Sequence, residues 1–276
     1  MIIISVKQPQ LNAELMSQVK NSLAKDGMVL INQNGLPFYF LNGLATDKPF
    51  LAAVDPDGQL QKDNKDLHIG GILPLIAAKI TIPGTVHITR PLEGIKTSVG
   101  LPANATEDTT NKLISYMKQI GLGWPFTQRK LEAEIMQKEQ FALGVLTQSA
   151  LFNKNLGTIY AEEQYQPFIK YCVTLTNYLS QKLGLDDGKL RDYETLKKVP
   201  ITKEHYASLC TDINEQKENE VKAILDTILE LATYYNIQNT KPLAIMSDGL
   251  QHRIESKDYD ASQLLGELIN ASNEPI

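Results

Sequence analysis

The chain has 276 residues, a net charge of −5, 42% hydrophobic and 21% charged residues. These proportions exclude a disordered or low-complexity chain. The basic set is 23 lysines and only four arginines, Arg90, Arg129, Arg191 and Arg253. An acidic, arginine-poor chain without a basic stripe argues against nucleic acid as a partner.

No apolar run approaches the roughly 18–20 residues that a membrane helix needs. The opening MIIISVKQPQ lacks the basic flank and apolar length of a signal peptide, so a cytoplasmic location is expected. Cys172 and Cys210, the two cysteines, lie on apolar helical faces and read as buried thiols.

In chain order, Ile2–Val6 reads as a short strand. Asn12 can cap a helix whose face is Leu15, Val19 and Leu23, stapled by Leu11 and Met16 and stopped at Gly27. Met28–Ile31 and Phe38–Leu41 read as a hairpin turned at Asn34-Gly35. Phe50–Val54 reads as a further strand, followed by a turn at Asp55-Pro56-Asp57-Gly58. The stretch Ile72–Ile82 is open to two readings, a helix opened by Pro74 or a strand. Thr85–Thr89 and Ile95–Val99 alternate as strands around a turn at 91–94.

From Thr106 the apolar period changes from two to 3.6. Thr106 caps a helix with Leu113, Met117 and Ile120 on one face, ending at Gly121. Thr127, with the staple Phe126–Leu131, opens a second helix that runs to about Phe152. Pro167 sits in the first turn of a third, whose stripe is Tyr165, Phe168, Cys172, Leu175 and Leu179, ending at Gly184. A short helix around Leu190, Tyr193 and Leu196 follows. Thr202 caps the next, with Tyr206, Leu209, Cys210 and Ile213 on its stripe. The polar tract Asn214–Glu220 favours helix and is expected to continue into the stripe Val221–Tyr235. Beyond it, Leu243–Met246 is an apolar run, and Leu264, Leu265, Leu268 and Ile269 mark a last short helix.

The expected fold class is α+β. Residues 1–105 form a small α/β region with a short mixed or antiparallel sheet, residues 106–235 a larger helical bundle, and residues 236–276 a tail whose short helix packs on the bundle.

No motif with a chemical mechanism stands out. The sequence contains neither G-x-G-x-x-G nor G-x-x-x-x-G-K-[ST], and no G-x-S-x-G. The four histidines (His68, His87, His205 and His252) fit no metal-ligand spacing, so neither a metal nor a cofactor is expected. The spacing around Asp55 fails the calcium-loop pattern, and Ser17-x-x-Lys20 lacks its companion motifs.

Four tyrosines, Tyr160, Tyr165, Tyr171 and Tyr178, crowd the acidic half of the chain. Tyrosine combines contact area with a rim hydroxyl. The expectation is therefore a protein-interaction module, an adaptor, chaperone-like or regulatory protein, binding a basic partner through these rings. The alternative is a hydrolase or transferase with a site between the two parts, drawing on His68, His87 and Cys172.

Overall fold

The computed structural model describes residues 1–74, 78–88, 97–121, 123–127, 130–187, 190–199, 201, 203–256 and 260–276. It has a small sheet region at the N-terminus and a larger helical part behind it. Strands β1 (Ile2–Ile4), β2 (Met28–Ile31), β3 (His68–Leu73) and β6 (Ser98–Gly100) form one sheet in that order. A separate antiparallel pair joins β4 (Ala78–Ile82) to β5 (Thr85–Ile88).

The sheet is mixed. β1 pairs with β2 in parallel, β2 with β3 in parallel, and β3 with β6 in antiparallel register. Helix α1 (Ala13–Ser22) forms the crossover between β1 and β2. Asn12 caps it, its side chain accepting from the Leu15 amide at 3.0 Å.

Every residue of β2 is buried, as expected of a central parallel strand covered on both faces. Met28 and Leu30 face a cluster with Ile72, Val99 and Leu101 that Leu113 and Met117 close from above. Val29 and Ile31 face the opposite way, into the main core. That core continues without a break into the helical part.

The expected hairpin after β2 does not form. Residues 38–41 are a buried turn segment and not a returning strand. Gly35 has φ of +77°, and the backbone of Ala223 crowds its side-chain direction. The Asn34-Gly35 turn thus sends the chain into the helical part, where the Leu36 amide donates to the Ala223 carbonyl at 2.8 Å. Phe50–Val54 is likewise turn, not strand. Asp55 accepts from the Leu60 and Gln61 amides in the first turn of α2 (Gln59–Asp63), whose N-cap is Gly58.

Helix α3 (Glu107–Gln119) begins at its Thr106 cap as the sequence implies. Helix α4 (Leu131–Phe141) starts later than Thr127, then passes through a π-helical turn at Ala142–Leu146 into α5 (Thr147–Phe152). Next come α6 (Leu156–Ala161), α7 (Gln166–Lys182), α8 (Tyr193–Leu196) and α9 (Ser208–Asn214). α7 carries the foreseen stripe and buries Phe168, Cys172, Leu175 and Leu179.

The chain does not stay helical through Asn214–Glu220. α9 ends at Asn214, and a second π-helical turn, Lys222–Asp226, leads into α10 (Thr227–Tyr234). Helices α11 (Lys241–Ile254) and α12 (Ala261–Ser272) complete the chain. The first of these appeared in the sequence only as an apolar run. Thr202, the strand residues 95–96 and the turn at 91–94 lie outside the described residues.

Candidate functional site

Three polar side chains meet where the sheet region abuts the helices. Asn34 follows the carboxyl end of β2, Lys138 lies in α4, and Glu220 stands just before the second π turn. The Lys138 Nζ donates to Asn34 Oδ1 at 2.9 Å. Asn34 in turn donates its side-chain Nδ2 to Glu220 Oε2 at 2.8 Å and its backbone amide to Oε1 at 3.3 Å. Asn34 is therefore a rigid spacer that ties an amine to a carboxylate.

Burial dominates the electrostatics. It holds the Lys138 amine below the usual lysine range, against the upward pull of Glu139 and Glu220. It pushes the Glu220 carboxyl up, opposed by the two Asn34 hydrogen bonds and then by Lys138. Glu139, next in the chain, is buried, and its carboxyl is raised well above the ordinary range by desolvation. Its Oε1 has no hydrogen-bond partner. Perturbed titratable groups gathered in one place make a functional-site candidate.

The placement supports the same reading. In open α/β sheets, ligands bind outside the carboxyl ends of the parallel strands. Asn34 occupies that position for β2. Helix α4, which carries Lys138, runs into one π turn and Glu220 immediately precedes the other, and such turns are frequent beside functional sites. Lys138 Nζ has one protein acceptor, Asn34, among the described residues. An ammonium offers three donors, so a ligand oxygen has donors left to meet.

A second buried acid lies on the same helix. Glu132 accepts from the Ala103 amide at 2.8 Å through Oε1, while its Oε2 is buried without a partner. Desolvation raises its carboxyl to about 7. Tyr39, whose hydroxyl donates to the Gly70 carbonyl at 3.4 Å, is pushed up by burial first and by Glu132 second.

The residues singled out from sequence are not brought together. His68 opens β3 and is partly buried, whereas Cys172 is fully buried in α7, and no hydrogen bond joins them. The His87 side chain lies outside the described residues. Burial, then Glu139, pushes the Cys172 thiol well up, which makes it a poor nucleophile. Among the described residues no group of three or more His, Cys, Asp or Glu could hold a metal ion.

The tyrosines do not form a common face either. Tyr165 and Tyr171 are buried, and the Tyr171 hydroxyl donates to the Asn239 carbonyl at 2.7 Å. Tyr160 is partly buried against Phe141, and only Tyr178, at 37% exposure, faces solvent. Their density along the sequence reflects packing and not a docking surface.

No protein family description and no curated protein matches the sequence. Solved structures do match in fold. A protein from Ralstonia solanacearum MolK2 described as a ketopantoate reductase superposes with a TM-score of 0.76 at 15% identity, over 92% of this chain and 77% of its own. The ketopantoate reductase from Ralstonia eutropha JMP134 gives 0.68 at 13% identity, over 92% and 76%. D-mandelate dehydrogenase in complex with NADH and anilino(oxo)acetate gives 0.66 at 17%, over 92% and 76%.

The chain thus has the fold of these reductases, a sheet region followed by a helical part. This overturns the expectation of an adaptor that binds a basic protein partner, and the hydrolase or transferase alternative falls with it. The buried rings of Tyr165 and Tyr171 also take two of the four tyrosines out of any shared surface.

NADH, named with the D-mandelate dehydrogenase, requires a cradle for its phosphates. The residues of this chain do not fit one. The turn after β1 contains Pro9 and no glycine, and its Lys7 is engaged by Asp212 and by the Glu218 carbonyl. The turn after β2 has Gly35, but a Cβ placed there would lie 2.3 Å from the Ala223 carbonyl carbon. The Ala223 backbone fills the side-chain side of that glycine.

Asn34, Lys138 and Glu220 were not found from sequence. Asn34 was read as a hairpin tip, Lys138 lies off the apolar stripe of its helix, and Glu220 ends a polar tract. They stand 104 and 186 residues apart along the pairs that bond them. No spacing rule reaches across such separations.

Proposed function

We propose that this chain, which has the fold of an oxidoreductase class, binds a small 2-oxo or 2-hydroxy carboxylate at Lys138, Asn34 and Glu220. The observation that carries the reading is the partly buried Lys138 ammonium, with Asn34 as its one described acceptor, at the carboxyl end of a parallel strand in a fold shared with ketopantoate reductases.

Lys138 donates a hydrogen bond to the substrate's oxo oxygen. Asn34 fixes the position of the amine and links it to Glu220. The free, buried cysteines suit a reducing compartment such as the cytoplasm.

The test is calorimetric titration of the chain with ketopantoate and with anilino(oxo)acetate. Saturable binding that weakens on Lys138→Ala supports the reading. A charged hydrogen bond is worth about 1.5–3 kcal/mol, so the loss should be roughly tenfold to hundredfold. Equal affinity in the parent and the variant would remove Lys138 from the site.

A further inference from the structure

We infer that this chain binds its 2-oxo carboxylate independently of any dinucleotide. The inference rests on the acid-binding reading above and goes beyond it, because it separates two ligands that are named together in the D-mandelate dehydrogenase complex with NADH and anilino(oxo)acetate.

The phosphate side of such a site is missing at three levels. At the level of sequence, neither glycine-rich phosphate signature occurs anywhere in the 276 residues. At the level of local structure, the two described turns at the carboxyl ends of β1 and β2 are closed. Lys7 is held by Asp212 and the Glu218 carbonyl, and Gly35 is pressed against Ala223.

The third level is topology. A dinucleotide lies where the order of parallel strands reverses direction. Here the order β1-β2-β3 runs one way. A reversal would need a strand on the outer edge of β1. No described strand occupies that edge, and Ile3 there is 42% exposed.

The acid-binding side, in contrast, is complete within this chain. Asn34, Lys138 and Glu220 are linked by hydrogen bonds of 2.8 and 2.9 Å. The Leu36–Ala223 backbone bond at 2.8 Å locks the turn that carries Asn34 onto the helical part. Nothing in this geometry waits for a second ligand to assemble it.

The experiment uses the full chain in a titration calorimeter. Ketopantoate and anilino(oxo)acetate are titrated alone and again with saturating NADH or NADPH, and each dinucleotide is titrated by itself. The expected result is saturable acid binding without dinucleotide, unchanged by its addition, and no heat from either dinucleotide. Coupled sites shift each other's affinity by roughly 5–150-fold, so independence is readable. Lys138→Ala should weaken the acid isotherm roughly tenfold to hundredfold while thermal unfolding still shows a folded protein. Heat from NADH or NADPH, or acid binding that occurs only in its presence, overturns the inference and leaves Lys138 as the acid site. Acid binding that is absent in every combination removes the acid-binding reading itself, and the inference with it.

Discussion

Replacing Glu132 by Gln should change the pH dependence of stability more than stability itself. Glu132 has 0% exposure and keeps one oxygen unpaired. Its carboxyl is raised from 4.5 to about 7, chiefly by desolvation. The folded state therefore holds a proton that the unfolded chain has already lost. Below the unfolded value both states are protonated, and the group exerts no pull on folding. As the pH climbs towards 7, stability falls by about 1.4 kcal/mol per decade, and the loss levels off above 7. The total is on the order of 3 kcal/mol. The glutamine side chain of the variant cannot ionise, yet its amide oxygen can still accept from the Ala103 amide. Glu132→Gln should therefore match the parent near pH 4.5 and exceed it by up to about 3 kcal/mol at pH 8. Urea unfolding followed by circular dichroism at both pH values gives the difference directly, since every other group titrates in both proteins. A stability difference that is the same at pH 4.5 and pH 8 would refute the assignment of a buried, protonated Glu132.

Asn34→Ala should cost about 1–3 kcal/mol of stability, because it removes the side-chain donor of the buried Glu220 carboxyl and keeps only the longer backbone one, and it should weaken acid binding in the same titration that tests Lys138. Gly35→Ala should destabilise by more than about 1 kcal/mol, since φ is +77° and the new methyl would meet the Ala223 backbone; thermal unfolding checks it. Acid affinity should decline from neutral to alkaline pH, because the lowered Lys138 loses its proton before an ordinary lysine would, while Glu139 and Glu220 become charged; calorimetry at pH 6 and pH 9 tests this, and a rising affinity would contradict it. Cys172, buried in α7, should resist thiol reagents in the native protein and react on unfolding.

What the sequence made legible was local. Asn12 and Thr106 announce their helices because a cap and the amide it accepts from lie three residues apart. The stripe of α7 is readable because 3.6-residue periodicity is itself a sequence property. The strand topology was not local. Asn34-Gly35 carries the signal of a hairpin, but the Ala223 carbonyl captures the Leu36 amide and redirects the chain. The polar tract before Glu220 has helical propensity throughout, yet α9 stops at Asn214, where the Lys217 amide turns back to the Asp212 carbonyl at 2.8 Å. The site was illegible for the same reason, since it is assembled from a strand end, a helix and a helix entry that only tertiary packing brings together. The tyrosine cluster misled in the other direction. Density along the chain is visible in sequence, whereas burial of Tyr165 and Tyr171 is decided by neighbours elsewhere.

The central claim is that Lys138, Asn34 and Glu220 form the ligand site. It is tested most directly by a crystal structure of the chain grown with anilino(oxo)acetate. The account predicts the ligand's oxo or carboxylate oxygen within hydrogen-bonding distance of Lys138 Nζ, with the Asn34–Glu220 pair intact. The ligand bound elsewhere, for example in the apolar cavity of about 410 Å³ beside Trp124 and Met117, and not at Lys138, would contradict it.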